Sequence, residues 1–130
     1  MAKDKKLKIF LIDDDDIHLT TAELFLKDEY ETRKSQSGQK ALDCIKSNEF
    51  VPDIILLDVV MPGMSGWDVY KKLREIDSMK NVPIAFLTSL VEEEEKKKAY
   101  KMGAADFMIK PFNMTELKAR IKEIRKKYRI

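Results

Sequence analysis

Short, nearly continuous apolar runs recur along the chain with turn signals between them: Leu7 to Ile12, Ile54 to Leu57, Val82 to Leu87 and Phe107 to Ile109. Their brevity and their richness in Ile, Leu, Val and Phe predict strands buried on both faces. A fifth run, near Thr32 to Gln36, is polar enough to belong at a sheet edge. Between these runs the apolar residues take helical spacing. Ile17, Leu24 and Phe25 predict a first helix, Ala41, Leu42 and Ile45 a second, and Trp67, Val69, Tyr70 and Leu73 a third. Leu117, Ile121, Ile124 and Tyr128, at i, i+4, i+7 and i+11, predict the last. Residues 92–98 read Glu-Glu-Glu-Glu-Lys-Lys-Lys, with Glu92/Lys96, Glu93/Lys97 and Glu94/Lys98 spaced four apart and acid preceding base. Pairing and the macrodipole both favour a helix there, with its charge as a solvated face.

The ends of these segments carry matching signals. Ser65 precedes Asp68 by three residues and Asn113 precedes Glu116 by three, the spacing at which a cap side chain meets free backbone N–H groups. Asp15 and Asp16 suit the cap and first turn of the first helix, and Gly103 suits a helix end. Strand and helix thus alternate five times, with connections too short for a second domain, so residues 1–130 are expected to form one domain with its core over about 8–127. Right-handed crossovers then give an α/β fold in which helices cover both faces of a parallel sheet. The expected architecture is a flavodoxin-like, doubly wound five-stranded sheet, order 2-1-3-4-5, with five helices.

Composition narrows the class. Hydrophobic residues make up 44% and charged residues 37% of the 130, which fits a soluble globular chain and excludes disorder. No run approaches membrane-spanning length, and the polar start, Met1 to Lys6, lacks the apolar stretch of a secretory signal. Cys44 is the only cysteine, so no internal disulfide can form, and a cytoplasmic setting with no membrane contact is expected. A net charge of +2 gives no reason to expect direct nucleic-acid binding.

In a sheet of this order, ligands collect at the carboxyl ends of the strands near the switch point. Four strands end there in chemically capable residues: Asp13 and Asp14, Asp58, Thr88, and Lys110. Alone, the run Asp13 to Asp16 would be a solvated loop. Directly after a buried strand, its first carboxylates would repel one another unless a cation or proton intervened. Hard oxygen ligands in a partial cage suit Mg²⁺. Asp58 closes the segment Asp53-Ile-Ile-Leu-Leu-Asp58, where a structural carboxylate is one reading and an aspartyl nucleophile attacking phosphorus the other. Lys110, between Ile109 and Pro111, is a cation in an apolar context that an anionic neighbour would explain. The Thr88 hydroxyl could donate to a phosphoryl oxygen. His18 reads as an ordinary surface or capping residue, Cys44 as a packing residue and Trp67 as packing at the start of the third helix.

With these residues in place, the sequence resembles the receiver domains of bacterial response regulators, including the single-domain chemotaxis type, over about Lys8 to Lys127. The resemblance rests on Leu11-Ile12-Asp13-Asp14-Asp15, on Ile54-Ile55-Leu56-Leu57-Asp58 with Met61-Pro62-Gly63-Met64-Ser65-Gly66, on Phe86-Leu87-Thr88-Ser89, and on Gly103-Ala104-Ala105-Asp106-Phe107 through Lys110-Pro111-Phe112. It implies that Asp58 is the phosphoacceptor and that Asp14, Asp58 and the Val60 backbone carbonyl ligate Mg²⁺, with Asp13 helping through water. It also implies that Thr88 and Lys110 bind the phosphoryl oxygens, that Lys110-Pro111 is a cis peptide, and that Thr88 and Phe107 form the switch. Phe107 stands where Tyr is common and lacks its hydroxyl. Val60 and Leu90 fall where the family sets its dephosphorylation rate. The implied partners are a histidine kinase or phosphotransfer protein upstream, and a downstream protein or own output domain at the face of the fourth helix, fifth strand and fifth helix. A phosphorylation-dependent dimer is a further option there, where Lys118, Arg120, Lys122, Arg125, Lys126 and Lys127 are expected to gather positive charge.

Two other functions fit less well. An aspartyl-phosphate phosphohydrolase of similar fold would carry its nucleophile after the first strand and a second acid two residues later, where Val60 follows Asp58 here. A flavin carrier would need a phosphate-binding loop where this chain has Asp13 to Asp16, whose charge would repel the cofactor.

Overall fold

The computed structural model describes residues 6–130, so the reading of Met1 to Lys6 lies, for residues 1–5, outside the described residues. Five strands, β1 (Lys8–Ile12), β2 (Glu31–Ser35), β3 (Ile54–Leu57), β4 (Ile84–Thr88) and β5 (Asp106–Ile109), alternate with α1 (Asp16–Leu26), α2 (Gly38–Lys46), α3 (Gly66–Arg74), α4 (Glu93–Met102) and α5 (Met114–Tyr128). All strand pairs are parallel and the order is β2-β1-β3-β4-β5. This is the flavodoxin-like arrangement that the sequence pattern predicts.

The period of two along each strand divides the core between the sheet's faces. Phe10, Ile12, Ile55, Leu57, Phe86 and Phe107 point to one side and pack against α2 and α3 through Leu42, Ile45, Val69 and Leu73. Ile9, Leu11, Ile54, Leu56, Ala85, Leu87 and Met108 point to the other, against α1 and α5 through Leu19, Leu26, Leu117 and Ile121. β2 has only exposed and half-buried positions, as suits its edge.

α1 buries a different stripe from the expected one. Leu19, Ala22 and Leu26 are inside and Phe25 is half-buried, whereas Ile17 is 74% and Leu24 55% exposed. The expected stripe of Ile17 and Leu24 is displaced because close helix-on-sheet packing favours the face that contains the small Ala22. The caps match expectation. Asp15 accepts from the Ile17 and His18 amides, Ser65 and Asp68 close a capping box, Asn113 accepts from Glu116, and Gly103 ends α4 at φ 100°. Among the described residues none of the expected α4 Glu–Lys pairs forms an ion pair; Lys98 instead lies over the Trp67 ring, 4.4 Å from its centroid. Charges this exposed gain little from pairing.

One glycine fixes the loop that follows β3. The Gly66 amide donates to the Val59 carbonyl at 2.8 Å, and a Cβ on Gly66 would lie 2.1 Å from the Asp58 carbonyl oxygen and 2.7 Å from Val59 Cα. Because those neighbours are backbone, they have no rotamer by which to yield. Gly66→Ala is therefore expected to cost about 2 kcal/mol or more, in the upper range for overpacking. Urea denaturation checks this, and a loss under about 0.5 kcal/mol, as for an ordinary surface change, would show that the loop can relax.

Candidate functional site

Strand register assembles the site. Ile12 of β1 pairs with Leu57 of β3, so the next residues, Asp13 and Asp58, leave adjacent strands side by side. Ile12 and Leu57 face α2 and α3, and the alternation turns Asp13 and Asp58 toward α1 and α5. Both are buried, at 6% and 7% exposure, while Asp14 is exposed. On the next pair of strands Thr88 is matched with Ile109, which brings Lys110 in immediately beyond. The Lys110 amide donates to the Thr88 carbonyl at 2.8 Å, and the Lys110-Pro111 peptide bond is cis.

The charges are close. One carboxylate oxygen from each of Asp13, Asp14 and Asp58 lies within 4.8 Å of the others. Lys110 Nζ is 2.5 Å from Asp13 Oδ2 and 3.8 Å from Asp58 Oδ2. The Asp15 amide donates to Asp13 Oδ1 at 2.9 Å. Burial, and then the charge of Asp13, push the Asp58 carboxyl from its usual 3.8 up to about 6, although Lys110 pulls it down. A pocket that holds one cation against three carboxylates has the donor set a hard divalent cation takes: oxygen only, crowded, and open on the side of Asp14.

The other expected residues lie in two places. Thr88 is fully buried at the end of β4, where its hydroxyl oxygen accepts from the Leu90 amide at 3.1 Å. Leu90 is half-buried and packs toward the α2–α3 core, while Val60 stands 55% exposed at the rim. Phe107 is not at the pocket. It lies on the α2–α3 side of the sheet, 3% exposed, with its ring 6.5 Å from that of Phe86.

Two features were not foreseen. His18 belongs to the site: its Nδ1 is 2.9 Å from Lys110 Nζ and 3.6 Å from Asp13 Oδ2. It is the third residue of α1, and helical side chains lean toward the N-terminus, which here lies over the carboxyl edge of the sheet. That position was the available signal. The basic residues of α5, moreover, do not share one face. Lys118 pairs with Glu29 at 3.0 Å and Arg125 lies over Tyr30, both on the α1–β2 side. Arg120 turns the other way and grips the buried Asp106 with bonds of 2.6 and 2.7 Å, while the Tyr100 hydroxyl donates to the same carboxylate at 3.1 Å. Burial alone would raise the Asp106 carboxyl, but Arg120 and the Phe107 amide hold it below its usual range.

The parallel sheet of this order gathers acids from the ends of its first and third strands and a lysine from beyond its fifth at one edge. The sequence profile of the response regulator receiver domain matches residues 9–122, and the chain belongs to that family. It is 38% identical over 116 residues to the cell cycle transcriptional regulator CtrA of Caulobacter vibrioides, covering 88% of this chain and 48% of that protein. It is 35% identical over 123 residues to the regulatory protein VanR of Enterococcus faecium, covering 94% and 51%. The chain spans a quarter to about half the length of the curated relatives it matches. The structure of the Vibrio cholerae chemotaxis protein CheY4 superposes with a TM-score of 0.84 at 29% identity, covering 92% of this chain and 98% of that one. Receiver domains of this family work with histidine kinases or phosphotransfer proteins and with output domains. No helix among the described residues is long and apolar enough to cross a membrane.

The raised Asp58 carboxyl has a consequence for stability. Folding disfavours its charged form, so the penalty is fully present above pH 6 and disappears as pH falls through 6 toward 3.8. In metal-free protein, Asp58→Asn should raise stability at neutral pH by about 1 to 3 kcal/mol. The gain should shrink steadily as pH is lowered to about 4.5. Urea titrations with chelator present check this; a gain that did not change with pH would assign it to packing.

Proposed function

We propose that residues 1–130 act as a single receiver domain in which Asp58 accepts a phosphoryl group from a phosphohistidine of a histidine kinase or phosphotransfer protein. The observation that carries the reading is the buried Asp58 carboxylate, 3.8 Å from Lys110 and grouped with Asp13 and Asp14. An Asp58 Oδ attacks phosphorus, an O–P bond forms, and the N–P bond breaks with its electron pair returning to the donor imidazole. Lys110 and Thr88 bind the phosphoryl oxygens. For Thr88 this means turning its hydroxyl proton toward the pocket while its oxygen keeps the Leu90 amide. Asp14, Asp58 and the Val60 carbonyl would hold Mg²⁺, with Asp13 acting through water. When bound, the ion offsets the charge gathered on the transferring group.

The signal would leave through Thr88 and Phe107 to the α4–β5–α5 face, the surface for a downstream protein, an own output domain or a second copy. Phe107 already lies inward, and having no hydroxyl it has no polar reason to turn outward. The setting is taken as cytoplasmic, without direct contact to nucleic acid or membrane.

Intact-mass analysis after treatment with a small phosphodonor tests the assignment. One phosphoryl group should appear on the wild type in Mg²⁺ and none on Asp58→Ala; equal modification in excess chelator would reject the metal requirement.

The lifetime of the phosphoryl group should follow from its flanks. Val60 and Leu90 offer no hydrogen bond to a water approaching phosphorus in line, so that water is neither oriented nor activated. Decay after donor removal should be slow for a receiver domain, and Val60→Asn with Leu90→Glu should speed it by about tenfold or more. Unchanged or slower decay in the double variant would show that these positions do not govern turnover.

A further inference from the structure

Lys110 ends a long, flexible stem, yet its ammonium is held in one place, and the holder beyond Asp13 is His18. A lysine ammonium only donates, so a hydrogen bond across the 2.9 Å between Lys110 Nζ and His18 Nδ1 requires Nδ1 to be the acceptor. The ring's proton is then on Nε2, which faces Asp15 Oδ2 at 3.8 Å. Asp15 is itself fixed, because its Oδ1 caps α1 by accepting the Ile17 and His18 amides at 2.8 and 3.3 Å. A continuous set of contacts therefore runs from the α1 cap through the His18 ring to Lys110 and on to Asp13.

We infer that His18 is a positioning residue for phosphoryl transfer: its Nδ1 lone pair keeps the Lys110 ammonium at the mouth of the pocket, pointed at the space above Asp58. The inference rests on the reading of Lys110 as a ligand of the phosphoryl group. Of the groups that face Lys110, Asp13 and Asp58 are carboxylates, and both are candidate supports for a divalent cation. His18 is the neutral acceptor among them and does not depend on those charges. Without it, the lysine stem regains rotamers that must be frozen again when the phosphoryl group arrives, and orientation of this kind governs rate steeply. His18, Lys110, Thr21, Ser89, Pro111 and Phe112 also line one open cleft.

The competing view is that a half-exposed His18 is a bystander, and two variants with a metal-free measurement separate the readings. His18→Leu keeps bulk and removes the acceptor. His18→Asn puts an amide oxygen where Nδ1 stands. With acetyl phosphate as donor, His18→Leu should slow Asp58 phosphorylation about three- to tenfold with unchanged thermal stability, and His18→Asn should recover most of that loss. In metal-free protein at about pH 8, two-bond ¹H–¹⁵N spectra should show His18 as the Nε2–H tautomer, and Lys110→Ala should shift the Nδ1 resonance. The inference is overturned if His18→Leu reacts like the wild type, if His18→Asn reacts like His18→Leu, or if Lys110→Ala leaves the His18 spectrum unchanged. A wild type that takes up no phosphoryl group would instead defeat the assignment of Asp58, while the spectra would still decide whether His18 holds Lys110.

Discussion

The structure is organised around an electrostatic problem set by strand register. Once Ile12 and Leu57 pair, Asp13 and Asp58 must leave the sheet next to each other, and both are buried. Two like charges at that depth are tolerated only with a cation, and Lys110 supplies one after β5 has crossed to the far side of β4. The two Asp residues thus depend on a lysine 97 positions after Asp13. That lysine depends in turn on β4 and β5 being aligned at Thr88 and Ile109. Site and sheet topology are one constraint seen at two scales. The residual cost stays on Asp58, whose carboxyl remains well above its ordinary value.

Much of this was legible in the sequence because burial on both faces leaves an unmistakable pattern. Runs such as Ile54 to Leu57 admit few readings besides a central strand, and once four such strands are ordered their terminal residues must converge. Caps were legible for the same reason, since Asp15, Ser65 and Asn113 act within three residues of themselves. What escaped is what depends on orientation about a helix axis. The stripe α1 buries is decided by the sheet beneath it, and periodicity alone pointed to Ile17 and Leu24 where the sheet takes Leu19 and Ala22.

The same limit hid His18 and the division of charge on α5. A histidine two residues into a helix looks like any surface residue until the strand ends below it are in place. Lys118, Arg120 and Arg125 look like one basic patch until Glu29, Asp106 and the Tyr30 ring draw them to different sides. Composition reports how much charge a helix carries. Direction comes from partners distant in sequence.

The two ends of α4 are secured very differently. Its last turns hold Ala99 fully buried, the Tyr70 hydroxyl donates to the Met102 carbonyl at 2.9 Å, and Tyr100 reaches the carboxylate that Arg120 also holds. Its first turns have no side-chain cap and bury no residue before Ala99. Helix ends without caps or burial fray first. α4 is therefore built as a cantilever: it is clamped near Gly103, while the end that adjoins residues 89–92 and Thr88 has neither cap nor burial to hold it, so any bending would be greatest at its first turn and would fall to nothing at the clamp.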